Sequence, residues 1–92
     1  MNSATRLRLV EAVKDIQVRE ILTYIYRDQP QGCSFEGLKE ILFLHDAFEE
    51  ARLTALVTDR ILTFNGKRYT IAPDARQVLD RDATILMDEF LR

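Results

Sequence analysis

Residues 61–71, with the sequence ILTFNGKRYTI, decide the fold of this chain. An apolar-rich run, 61–64, is followed by Asn65-Gly66 and then by a second run, 67–71. Asn-Gly is the strongest short-range hairpin signal, because a type I′ turn needs positive φ at both central residues and these two residue types tolerate it best. The sequence therefore predicts one β-hairpin with a type I′ turn at Asn65-Gly66.

Helix-forming sequence precedes the hairpin. Residues of about 5–27 include neither Gly nor Pro and predict a long first helix. The apolar side chains of its two halves lie on nearly opposite faces at 100° per residue. Either this helix breaks near Gln17, or its two halves pack against different neighbours.

Two shorter helices are predicted before the hairpin. Ser34 is a candidate N-cap for a second helix over about 35–44. After a tight corner, Asp46 followed by Glu49 resembles a capping box, which predicts a third helix over about 47–59. After the hairpin, Pro73 suits the first position of a last helix, because the N–H that it lacks is not needed there.

Composition limits the class of protein. The 92 residues include 13 basic and 15 acidic side chains, for a formal charge of −2, and 47% are hydrophobic, which is enough for one domain with a core. The single cysteine, Cys33, excludes an internal disulfide and is typical of a reducing compartment. No run of about eighteen apolar residues is present, so we expect a cytoplasmic protein that does not associate with membranes.

The order helix, short helix, tight corner, helix and hairpin resembles the winged-helix variant of the helix-turn-helix family. The resemblance covers about 16–76 and is most specific over 53–71. There, LVTDRIL at 56–62 is similar to the end of that family's third helix as it enters the first wing strand, and YTIAP at 69–73 looks like the exit from the wing into another helix. One departure is Arg60, which stands where the family usually has Gly or Asn, residues that adopt positive φ more easily.

The resemblance implies a mainly α fold with a small β-hairpin: a winged helix-turn-helix with additional N- and C-terminal helical packing. We expect the whole chain, 1–92, to form a single winged-helix domain. Its core would lie at about 16–76, and outer helices would cover about 5–16 and 74–91.

The resemblance also implies a function. In the family, the third helix typically enters the major groove of DNA, while the wing touches the backbone or the minor groove. We therefore expect a small DNA-binding protein, a transcription regulator acting as a homodimer. The nucleic-acid-binding candidates are Arg52, Thr54, Thr58, Arg60, Lys67 and Arg68.

The charge distribution supports an alternative. Residues 33–59 carry six acidic and two basic side chains, a balance of −4, whereas the segment 60–76 that includes the wing is positive, at +3. Carboxylates oppose an approach to phosphates. The predicted third helix also has a second apolar face, through Phe48, Ala51 and Ala55, that suits a protein partner. The alternative is a winged-helix protein–protein interaction module that does not bind DNA.

Catalytic chemistry is not indicated. The sequence has no glycine-rich phosphate loop, zinc-ligand spacing or nucleophile–base pair, so we expect no enzyme activity, no metal and no cofactor. We interpret His45 as a turn residue. We interpret the aromatic residues of the predicted helices and strands as core residues rather than as a base-stacking platform: Tyr24, Tyr26, Phe43, Phe48, Phe64 and Tyr69.

Apolar stripes on the outer helices favour a homodimer. The stripes on the first and last helices lie outside most of the resemblance, and each needs an apolar partner. They could pack on each other within one chain or pair across a two-fold axis. We predict the dimer, with these residues in contact with a partner: Leu9, Val13, Ile16, Phe48, Leu86 and Phe90.

Overall fold

The computed structural model describes the backbone of residues 3–42 and 46–87 and the side chains of residues 3–40 and 50–87. Within these ranges, five α-helices and a short 3-10 helix accompany one two-stranded antiparallel sheet. In chain order the elements are α1 (Ser3–Ala12), α2 (Ile16–Asp28), α3 (Phe35–Leu42), α4 (Asp46–Thr58), β1 (Leu62–Phe64), β2 (Tyr69–Ile71), α5 (Pro73–Arg81) and the 3-10 helix (Ala83–Leu86). This confirms a mainly helical fold with one hairpin and is compatible with a winged helix.

The predicted first helix is in fact two helices, so the first of the two alternatives is correct. α1 ends at Ala12, and α2 begins at Ile16. The carboxylate of Asp15 accepts hydrogen bonds from the backbone N–H groups of Gln17, at 2.9 Å, and Val18, at 3.4 Å. Asp15 is thus the N-cap of α2, and such a cap favours a new helix start over continuation of the old one.

α3 and α4 lie close to their predicted positions. The hydroxyl of Ser34 accepts a hydrogen bond from the backbone N–H of Gly37, at 3.1 Å, as expected of an N-cap. α3 ends at Leu42 and α4 spans Asp46–Thr58. The capping box proposed for Asp46 lies outside the described side chains, and His45 lies outside the described residues.

The outer helices pack on each other within the chain. α1 lies against α5, and Leu9, Val13 and Leu86 are all buried in the common core. Their exposed fractions are 0%, 7% and 8%. The expectation that these three side chains contact a second chain is therefore corrected, because each already has apolar neighbours inside its own chain.

The last helix is shorter than predicted. α5 ends at Arg81, and the carboxylate of Asp82 then accepts hydrogen bonds from the backbone N–H of Thr84, at 3.2 Å, and from the Thr84 hydroxyl. Arg6 of α1 donates to the same carboxylate at 2.9 Å. The hydrogen bonds from Thr84 and Arg6 lower the pKa of Asp82, so it stays ionised and joins α1 to the end of α5.

The hairpin is present and is anchored on the helices. Leu62 lies opposite Ile71 and Phe64 lies opposite Tyr69 in the antiparallel register. β1 packs against α4, and β2 packs against α2. Leu62, Tyr69 and Ile71 are buried, so one face of the hairpin forms part of the core.

A third segment pairs with the hairpin, which the sequence did not predict. The N–H of Cys33 donates to the carbonyl of Tyr69 at 3.0 Å, and the N–H of Tyr69 donates back to the carbonyl of Cys33 at 2.8 Å. Gly32 precedes this bridge with a φ of 110°, and a Cβ there would lie 2.7 Å from Cγ2 of Thr70. Only glycine allows this approach, so Gly32 lets the loop after α2 lie against β2.

α4 ends in a Schellman motif. The N–H of Ile61 donates to the carbonyl of Leu56 at 2.9 Å, and the N–H of Arg60 donates to the carbonyl of Val57 at 3.0 Å. Arg60 has a φ of 63°, in the left-handed region, and Ile61 and Leu56 are both buried. Arg60 therefore adopts a conformation that suits the Gly or Asn usual in the family, at a cost in backbone strain.

This strain predicts a stabilising substitution. Arg60→Gly should raise the free energy of unfolding by about 1 kcal/mol, because glycine lacks the Cβ that disfavours left-handed backbone. Urea unfolding followed by circular dichroism measures the change. Arg60→Ala is the matched control, since it removes the same charge but keeps the Cβ. An equal gain from both variants would show that the strain is not in the backbone.

Candidate nucleic-acid interface

Three basic side chains are exposed on or next to the hairpin. Lys67 and Arg68 lie in its turn, and Arg60 lies just before β1. Among the described side chains, none forms an ion pair with these three. They make the hairpin a cationic projection on a chain whose net charge is −2.

The turn of the hairpin differs from the predicted type I′ turn. The N–H of Asn65 donates to the carbonyl of Arg68 at 3.3 Å, so Gly66 and Lys67 are the central residues. Gly66 has a φ of 95°, whereas neither Lys67, the second central residue, nor Asn65 has a positive φ. Positive φ at the first central position alone is typical of a type II′ turn.

Asn65 has another role in this turn. Its side-chain oxygen accepts hydrogen bonds from the backbone N–H groups of Lys67, at 2.9 Å, and Arg68, at 2.8 Å. Asparagine commonly forms such side-chain hydrogen bonds to the backbone of a turn, and they do not require left-handed backbone at Asn65 itself. As a result, one asparagine side chain orders the backbone of both cationic residues.

An aromatic pair lies directly behind the turn. The rings of Phe64 and Tyr69 stack with their centroids 4.4 Å apart and their planes 23° apart. Tyr69 is buried, and both this burial and the nearby Glu50 carboxylate raise its pKa. Phe64 is 47% exposed, so its assignment to the core is wrong.

The other aromatic residues of the predicted core set are placed differently. Tyr24 and Tyr26 are partly buried against the core. Phe43 and Phe48 lie outside the described side chains.

The outward face of α4 lacks positive charge among its described side chains. Thr54 donates its hydroxyl to the carbonyl of Glu50 at 3.0 Å, and Thr58 donates to the carbonyl of Thr54 at 3.0 Å. Both threonines are exposed, but their hydroxyl protons are used within the helix. The exposed residues at and beyond this face are Glu50, Ala51, Thr54, Ala55, Thr58 and Asp59.

Arg52 is held away from that face. Its guanidinium contacts the carboxylate of Asp15 at 2.8 Å and the side-chain oxygen of Gln17 at 2.9 Å. Only 23% of its side chain is exposed. Arg52 therefore joins α4 to the start of α2, and we assign it a structural role rather than a contact with bases.

The structure thus divides the predicted nucleic-acid residues into three sets. Arg60, Lys67 and Arg68 belong to the cationic hairpin. Thr54 and Thr58 lie on the outward face of α4, and Arg52 is partly buried, joined to the start of α2. Sequence reasoning missed the exposure of Phe64, although its position directly before the turn, beyond the reach of the helices, was an available signal.

α1 presents an apolar surface that the sequence analysis did not identify. Leu7 is 67% exposed, Val10 is 37% exposed, and Ile16, at the start of α2, is 64% exposed. Of the predicted partner residues, Ile16 is thus the one described side chain at the surface. Phe48 and Phe90 lie outside the described side chains.

The described residues contain no group of three His, Cys, Asp or Glu side chains placed to hold a metal ion. No described helix has the length and apolar character needed to cross a membrane. Burial raises the pKa of the Cys33 thiol, although Arg68 acts in the opposite direction, so Cys33 has little thiolate character at neutral pH.

Comparison of the chain with models of known protein families, with curated proteins and with solved structures found no match.

The position of Arg52 predicts a change in stability. Arg52→Ala should lower the free energy of unfolding by about 1 kcal/mol, because Asp15 loses a partly buried partner. Arg52→Lys should restore part of this loss, since it keeps the charge but not the second hydrogen bond. Urea unfolding of both variants measures the effect. Wild-type stability in Arg52→Ala would show that the ion pair contributes nothing.

Proposed function

We propose that this chain is a small winged-helix protein that binds duplex DNA through its hairpin and acts as a homodimeric transcription regulator. The observation that carries the proposal is the exposed set of Arg60, Lys67 and Arg68 on an ordered hairpin. Cationic side chains that contact phosphates release condensed counterions, which favours binding to any duplex sequence. The hairpin would act as the wing of that family.

α4 has a lesser electrostatic role in this proposal. The outward face of α4 carries Glu50 and no described cation. The charge of this face therefore does not attract the helix to phosphates. Thr54 and Thr58 are the side chains of this face best suited to contacts with base edges, since threonine offers both a hydroxyl and a methyl group. The proposed complex therefore depends mainly on the hairpin and is sensitive to salt.

Removal of the hairpin cations tests the proposal. Lys67→Ala/Arg68→Ala should weaken binding to a mixed-sequence duplex at low salt by at least about tenfold. The slope of log K against log salt concentration should decrease in magnitude by about 2, one for each lost phosphate contact. Fluorescence anisotropy titrations at several salt concentrations measure both quantities.

Arg81→Ala, which removes one cation away from the hairpin, is the control for this titration. Arg81 is an exposed cation at the end of α5 farthest along the chain from the hairpin. Its removal should leave the affinity and the salt slope close to those of the wild type. An equal loss per removed charge in the control and in the double variant would reduce the effect to net charge and contradict a role for the hairpin.

The second candidate function is a protein–protein interaction module that does not bind DNA. It is favoured by the described outward face of α4, where Ala51 and Ala55 are exposed and the charged side chain is Glu50. Interface centres are typically depleted of charge. The same titration separates the candidates, because a module of this kind gives no DNA binding at low salt, with or without Lys67 and Arg68.

The homodimer in the proposal uses α1. Leu7 points away from the core, and Val10 lies one turn further along the same exposed side. In an antiparallel pair of α1 helices related by a two-fold axis, Leu7 and Val10 of one copy would pack against the same side chains of the other. A second copy would thus cover apolar side chains that its own chain leaves exposed.

A charge in this surface tests the dimer. Leu7→Glu should convert a dimer into a monomer, because it would place a carboxylate from each copy in an apolar interface. Sedimentation equilibrium at about 100 µM protein, well above the dissociation constants of most specific dimers, gives the mass. Gln31→Glu, which adds the same charge on an exposed loop, should remain dimeric. A monomeric wild type, or a dimeric Leu7→Glu variant, would contradict the assignment.

A further inference from the structure

Phe64 has an unusual position for a phenylalanine of this small sheet. Leu62, two residues earlier on the same face of β1, is 1% exposed, whereas Phe64 is 47% exposed. The near-parallel stack with Tyr69 covers one face of the Phe64 ring. The exposed part of the Phe64 ring therefore includes the outer face, which Tyr69 does not cover.

The stack is held in place from behind. Tyr69 is buried, and its backbone forms both hydrogen bonds of the bridge to Cys33. Phe64 is fixed opposite Tyr69 by the strand register. The ring is thus presented on a rigid support, which lowers the entropy lost when a planar group stacks on it.

Basic residues lie on both sides of Phe64 in the sequence of the hairpin. Lys67 and Arg68 occupy the turn that begins one residue after Phe64, and Arg60 lies before the strand. Isolated exposed apolar side chains are common and need no explanation. A hairpin that carries both an exposed aromatic ring and exposed basic residues is a different feature, since it combines the two groups that contact bases and phosphates of unpaired nucleic acid.

We propose that the outer face of Phe64 is a stacking site for an unpaired nucleobase, with Lys67 and Arg68 contacting the phosphates of the same strand. This inference rests on the proposed function, because it uses the same phosphate contacts. It adds a substrate class: DNA that carries unpaired bases, such as a single-stranded overhang, is bound more tightly than a blunt duplex. In a blunt duplex the bases are already stacked on each other, so Phe64 gains no partner.

Three fluorescently labelled DNA probes test this preference: a blunt duplex, the same duplex with a single-stranded overhang, and one of its strands alone. The wild type should bind the overhang and the single strand about tenfold more tightly than the blunt duplex, which is within the range for one stacked base. Anisotropy titrations at one fixed salt concentration measure the three affinities. Equal affinities for all three probes would overturn the inference.

Two substitutions of Phe64 identify the stacking contact. Phe64→Leu keeps an apolar cover over Tyr69 but has no π face, so it should lose the tenfold preference and keep the blunt-duplex affinity. Phe64→Tyr keeps the ring and should retain the preference. Urea unfolding of both variants checks that they are as stable as the wild type. An unchanged preference in Phe64→Leu would overturn the inference.

The outcomes for the two proposals are distinguishable. If Lys67→Ala/Arg68→Ala weakens binding to every probe while Phe64→Leu changes none, the hairpin binds DNA without a stacking site. If the wild type binds none of the three probes, the proposed function and the stacking site are both wrong.

Discussion

The reciprocal hydrogen bonds between Cys33 and Tyr69 hold the hairpin on the helical body. A two-stranded hairpin alone is marginally stable in water, and the ladder of β1 and β2 is only three residue pairs long. The bridge adds a further backbone pairing on the outer side of β2, and Gly32 makes it possible by leaving no Cβ in the way. The position of the basic turn and of the Phe64 ring relative to the helices follows from this contact.

Local sequence predicted the parts of the fold that are determined locally. The hairpin, α3 and α4 lie close to their expected positions, because Asn65-Gly66 and Ser34 act within a few residues of themselves. Arg60 was recognised as a misfit from the pattern alone, and the left-handed backbone there shows why. By contrast, the Cys33 bridge joins segments distant in sequence, and no local pattern marks a single bridging residue.

The helix ends were harder to predict for a related reason. α1 and α5 end without Gly or Pro, at points where Asp15 and Asp82 cap the next helical segment. The carboxylates of these two caps also form ion pairs with residues of other helices: Asp15 with Arg52 of α4, and Asp82 with Arg6 of α1. Tertiary contacts also changed the candidate site. Arg52, a base-contacting candidate on a helical wheel, is held by Asp15. Leu9 and Val13 are buried in the core of their own chain rather than by a second chain.

In the proposed DNA complex, the cationic residues lie on the hairpin and not on the outward face of α4. This arrangement differs from that of a protein that binds DNA mainly through a basic recognition helix. The hairpin carries exposed basic residues, whereas the exposed side chains on the described outward face of α4 are small, uncharged or acidic. Electrostatic attraction in such an arrangement depends on how rigidly the hairpin projects from the body, since a mobile hairpin would lose its contacts to entropy. The proposed DNA contact therefore requires that β2 be anchored, because the anchoring keeps the hairpin rigid.

Amide hydrogen exchange measured by NMR tests this anchoring most directly. We expect the amides of Cys33 and Tyr69 to exchange only on global unfolding, as slowly as the most protected amides of α2. Exchange of these two amides at the rate of an exposed loop, in a chain whose helices remain protected, would show that the hairpin is not fastened to the body and would contradict the account.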